Sequence, residues 1–112
     1  MNEWRLLREY VEHNSDAAFA ALVERYINLA YTACFRELRD ASLAEDVTQV
    51  VFLILAQKAY RLREGTVLSG WLYRTARFAS NNARQQEILG RGNRRVGEDI
   101  EVASARPLNF AV

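Results

Sequence analysis

Arg74, Arg77, Asn81 and Arg84 follow one another at three- and four-residue steps. On a helix of 3.6 residues per turn such a set falls within roughly 80° of arc. Phe78 borders that stripe, and Gln85 lies between Phe78 and Asn81. Guanidinium groups bind phosphates, side-chain amides read base edges and aromatic rings stack on bases, so the combination suits a nucleic-acid strand. A merely solvated helix face usually alternates Lys with Glu, whereas no acidic residue stands between Glu64 and Glu87. A solvated Arg-rich face is the competing reading.

A second set is Asp46, Gln49, Leu53, Ala56 and Tyr60, again at helical steps. It lies beside a core-like stripe of Leu43, Val47, Val51, Ile54, Leu55 and Leu62. A helix apolar on two sides is either central in its domain or carries a docking patch for another protein. Other reactive residue types lack the company that chemistry needs. His13 is the only histidine and has no Cys, His or cluster of carboxylates near it at ligand spacing. Cys34 reads as a small core residue. Glu45 and Asp46 are adjacent, so on a helix they diverge by about 100° and do not face each other as an acid/base pair. No phosphate loop, nucleophile elbow or zinc-helix motif is present. The expectation is a protein that is not an enzyme and uses no metal or cofactor.

A chain of 112 residues, 50% hydrophobic and 26% charged, is one domain with enough apolar residues for a modest core, which argues against wholesale disorder. Its net charge of +1 conceals an asymmetry. Residues 1–56 hold five arginines against nine acids, about −4, and residues 57–112 hold ten basic residues against five acids, about +5. Arginine supplies every basic residue except Lys58, and its planar fork fits phosphates and stacking better than lysine does. One cysteine allows no internal disulfide framework. The start, Met-Asn-Glu-Trp-Arg, lacks signal-peptide order, and the apolar run Val50 to Ala56 is too short to span a bilayer. The reading is a cytoplasmic protein without a membrane partner.

Scarce breakers, with Pro107 the only proline, predict an all-α chain: a compact bundle of three to four helices. The first would run from Glu3 to Glu12 with Trp4, Leu7 and Val11 on one face and Tyr10 beside them. Ser15 or Asp16 would cap the second, from Ala17 to Arg39. Ser42 and Glu45 match a capping box for the third, from Leu43 to Arg61. Thr66 or Ser69 would cap the fourth, which carries Trp71 and continues to about Leu89. Its inner side would be Leu68, Leu72, Thr75, Ala79 and Ala83. Trp71 and Leu72 should be buried with Leu22, Tyr26, Val47 and Val51. The predicted division is a helical domain over residues 1–95 and a flexible tail over 96–112.

Two runs at their mutual spacing carry a resemblance: Ala44-Glu45-Asp46-Val47-Thr48-Gln49-Val50-Val51-Phe52, then Gly70-Trp71-Leu72-Tyr73-Arg74-Thr75-Ala76-Arg77. With Phe19-Ala20-Ala21-Leu22-Val23-Glu24-Arg25-Tyr26, they resemble region 2 of bacterial RNA polymerase sigma factors, in the form seen in the extracytoplasmic-function group. The likeness covers about Leu6 to Arg95. It implies a transcription initiation module that docks on the clamp helices of the largest subunit of core RNA polymerase. It also implies recognition of the promoter minus-ten element as melted non-template strand. By that resemblance Asp46 and Gln49, with Glu45 and Leu53 beside them, bind polymerase. Arg61, Arg63, Ser69, Arg74, Arg77, Phe78, Asn81 and Asn82 become DNA contacts, and an anti-sigma factor becomes a candidate further partner.

Two departures accompany the likeness. Phe78 stands where many members have Asn, so stacking could replace a hydrogen bond there. No second, C-terminal helix-turn-helix domain follows in these residues. Truncation, a degenerate product and a natural single-domain protein all remain open. The alternative function is a sigma-like helical interaction module, possibly dimeric, without promoter recognition of its own. Between Arg61 and Gly70, two glycines, the hydroxyls of Thr66 and Ser69 and the flanking Arg61 and Arg63 could form a pocket for a flipped base. An ordinary inter-helix turn is the equal alternative.

Overall fold

The computed structural model describes residues 3–88. It contains α1 (Glu3–His13), α2 (Asp16–Leu38), α3 (Ala41–Lys58) and α4 (Leu68–Ile88), with a 3-10 turn, Ala59–Arg61, after α3. The all-α expectation holds. The predicted Leu89 end of the fourth helix, the arginines 91, 94 and 95, and the tail 96–112 lie outside the described residues.

Local chemistry sets the helix starts. Ser15 has extended backbone, and its Oγ accepts the Ala18 N–H at 3.1 Å, which starts α2. The third start differs from the expected capping box. Asp40, not Ser42, is the cap, its Oδ1 accepting from Leu43 N–H at 3.0 Å. A carboxylate there also meets the positive end of the helix dipole, an advantage a serine lacks. Neither Thr66 nor Ser69 caps α4. Val67 precedes the helix and its carbonyl accepts the Trp71 N–H at 3.0 Å, while Ser69 already belongs to the first turn. The third helix also stops being α-helical at Lys58. The chain then tightens into the 3-10 turn and leaves it at Leu62, which is extended (ψ 133°).

α2 is the hub, packing against α1, α3 and α4, and α3 and α4 also pack against each other. The third helix is therefore not the central one. Trp71, Leu72, Leu22, Val47 and Val51 are buried as expected, but Tyr26 is only half-buried, at the α1 side, where its hydroxyl donates to a Glu3 carboxylate oxygen. The inner side of α4 is buried throughout, and its small residues Ala76, Ala79, Ser80 and Ala83 let α2 approach. Cys34 is fully buried, and burial pushes its thiol pKa up, with the hydroxyls of Ser80 and Thr48 opposing. On α1 the inward face is Leu6 and Leu7, with Trp4 and Tyr10 half-buried against the core, while Val11, expected on that face, is 40% exposed. The Tyr10 ring lies 4.7 Å from that of Phe19, and this contact sets the rotation of α1 on α2.

Candidate functional site

Two surfaces stand out. The first is a groove of about 720 Å³ between α2 and α3. Phe19, Val23, Ile27 and Tyr31 come from α2, one per turn, and Phe52 and Leu53 come from α3. Leu53 is 61% exposed and Ile27 is 42% exposed. Large apolar side chains left in water this way cost burial energy that only a partner would recover. Glu45 and Gln49 also line the groove, whereas Asp46 is exposed on α3 outside the lining. The stripe from Asp46 to Tyr60 is thus exposed but for the half-buried Ala56, with Tyr60 66% exposed, which rules out burial of α3 on two sides. The α2 half of the groove was not among the residues expected to bind. Its signal in the sequence is the four-residue recurrence 19, 23, 27, 31.

The second surface is the outer side of α4. Arg74, Arg77 and Asn81 are exposed along it, with Phe78 and Asn82 half-buried at its edge and Ser69 half-buried in the first turn. The sequence shows no acid near this stripe, yet the fold supplies one. Glu37 of α2 places Oε2 3.3 Å from Arg77 Nε and Oε1 3.5 Å from Arg84 Nη1. Arg84 also donates to the Glu37 carbonyl at 2.6 Å and to Asn81 Oδ1 at 3.0 Å. The guanidinium of Arg77 lies 5.9 Å from the centroid of the Tyr73 ring. Tyr73, 42% exposed, is an aromatic on this face that the sequence reading passed over, although its four-residue step to Arg77 marks it. The arginine face is therefore a partly neutralised, ordered network and not an acid-free stripe.

Arg61 and Arg63 belong to the turn between α3 and α4 and are exposed. Arg61 lies over the Tyr60 ring, 5.6 Å from its centroid, and its Nε donates to the Tyr60 hydroxyl at 3.1 Å. The turn is held by the Thr66 N–H to the Arg63 carbonyl, 3.0 Å, and by an ion pair of Glu64 with Arg8 of α1 at 3.5 Å. Gly65 has φ +96°, a conformation that favours glycine. Gly70 needs no such freedom. A Cβ there would meet Arg74 Nη1 at 3.5 Å and Val67 Cγ1 at 3.8 Å, ordinary contacts, so it is not a site of forced close approach.

Among the described residues no group of three or more His, Cys, Asp or Glu could hold a metal ion, and no helix is long and apolar enough to cross a membrane. Compared with known families, residues 22–87 match the one described as Sigma-70 region 2. No curated protein and no solved structure matches the chain. The matched span contains α3 and all but the last residue of α4, together with most of α2, and so takes in both surfaces except Phe19 of the groove.

Proposed function

The chain belongs to the sigma-70 region 2 family, and from that premise we propose that it docks on core RNA polymerase through the α2–α3 groove and reads melted promoter DNA with α4. A sigma-factor role in transcription initiation comes with the family. Beyond it, the proposed contact surface is the clamp helices of the polymerase's largest subunit, and the proposed DNA target is the non-template strand of the minus-ten element. Membership of the extracytoplasmic-function group, and an anti-sigma factor as antagonist, belong to the same proposal. The observation that carries it is the uncovered apolar groove rimmed by Glu45 and Gln49, with Asp46 beside it, on a domain that also bears an exposed arginine face on α4. An amphipathic basic helix from a partner would bury Ile27 and Leu53 and place its charges on that rim.

A second reading, a protein-interaction module without promoter recognition, is favoured by Glu37, which offsets charge on Arg77 and Arg84. Co-purification with core RNA polymerase separates the two. Wild type should be retained on core, whereas Leu53→Asp and Asp46→Arg should be lost from it with their helical circular dichroism unchanged. The first change puts a charge into an apolar contact, and the second makes like charges meet. Retention of both variants at wild-type affinity would place the docking surface elsewhere.

A further inference from the structure

Arg84 is gripped on both prongs of its fork. Nη1 donates to the Glu37 carbonyl at 2.6 Å and lies 3.5 Å from Glu37 Oε1, and Nη2 donates to Asn81 Oδ1 at 3.0 Å. A guanidinium only donates, so it pairs only with the oxygen end of a carboxamide. Reversing the Asn81 amide would set its NH2 against a cationic donor. Asn81 is exposed, and with Oδ1 turned to Arg84 the NH2 end is what it offers a ligand.

An asparagine with both ends available serves adenine well, donating to a ring nitrogen and accepting from the exocyclic amine. Here the accepting half is committed to Arg84. A base that carries a carbonyl oxygen at the facing position gives the NH2 group a good acceptor there, whereas adenine has no carbonyl oxygen on any edge, so its amine would face the NH2 and only a ring nitrogen would be left to accept. We infer that Arg84, anchored on Glu37, is a positioning residue that presents Asn81 as a hydrogen-bond donor to a single-stranded base, so that this face discriminates against adenine. The inference rests on the reading of α4 as the strand-binding face.

The test compares adenine with hypoxanthine, which keeps the purine ring and its stacking face but carries a carbonyl oxygen in place of the amine. Labelled single-stranded oligonucleotides, with one or the other base at each position in turn, are titrated with the full chain at low salt. Wild type should prefer hypoxanthine at one position by roughly two- to tenfold, the worth of one net hydrogen bond. In Arg84→Met, which keeps the stem and removes the donors, that ratio should fall to about one. The lost charge weakens both strands alike and cancels in the ratio. Asn81→Ala, an exposed change that leaves the fold alone, should do the same, and Glu37→Gln, which keeps the carbonyl anchor, should give an intermediate ratio. A wild-type preference that survives Arg84→Met or Asn81→Ala overturns the inference, as does equal binding of the two bases at every position. Absence of any strand binding by the folded wild type overturns the strand-binding reading of α4, and this inference with it.

Discussion

Arg39 ends α2 at φ 56° and ψ 29°, its N–H bonded to the Phe35 carbonyl at 2.8 Å. A side chain in this left-handed region is penalised, and glycine is the usual choice at a helix end. Arg39 is exposed, so no packing is lost with its side chain. Arg39→Gly should therefore stabilise the protein by about 0.5–1 kcal/mol and raise Tm by about 2–8 °C in a thermal melt. Asn14, at φ 54°, already has a residue type that tolerates the conformation and should gain less. Tyr26 is the second residue with a measurable consequence. Burial, then the hydrogen bond and negative charge of Glu3, push its pKa above the usual value near 10. The folded state thus keeps a proton that the unfolded chain gives up. The stability it contributes is whole below about pH 10 and is lost as pH rises from there through the folded pKa. Urea titrations across that alkaline range should show a steeper decline for wild type than for Tyr26→Phe.

Single helices carry two jobs on two sides, and α4 shows this most plainly. Leu72 is fully buried, while Arg77 on the far side meets a half-buried Glu37 with most of its own side chain in water. Removing the leucine side chain leaves a cavity and should cost about 2–5 kcal/mol. Breaking the surface pair should cost under about 1 kcal/mol. Thermal melts of Leu72→Ala and Arg77→Ala should therefore differ by several degrees at least, and equal shifts would mean that the two faces of α4 are wrongly assigned. In α3 the same division puts Val47, Val51, Ile54 and Leu55 inside and leaves Leu53 for the groove. A single helix can do this because 3.6 residues per turn keeps the two stripes apart.

Over the whole molecule the charges are sorted although their sum is only +1. Glu45 and Asp46 stand at the α2–α3 groove, and Arg74, Arg77 and Arg84 stand on α4. Such sorting fits the proposed partners, a basic protein surface at the groove and an anionic strand at α4. Strand binding by the isolated chain should be weak and should fall with salt, at about 0.7 in the log–log slope for each phosphate contact. Replacing Arg74 and Arg77 together by Ala should flatten that slope in an anisotropy titration series.

What the sequence determined by itself was local or periodic. Helix existence, the Ser15 cap, the inner side of α4 and the burial of Trp71, Leu72 and Cys34 follow from spacing and residue type, which act within a few residues along the chain. The sigma-like motifs were legible for the same reason, since they lie within α3 and α4. Tertiary structure alone decided the rest. Whether the second stripe of α3 was buried depended on which helix became the hub, and that is set by how three faces pack together. The partner of the arginine stripe was hidden because Glu37 lies 40 residues before Arg77 and 47 before Arg84, a distance no helical period bridges. The α2 wall of the groove was hidden because nothing in the spacing of Phe19 and Val23 tells a covered apolar face from an open one, and only the packing of α3 beside them left the space between open. Periodicity assigns a residue to a face of its own helix, and only packing decides whether another helix, a partner or water meets that face.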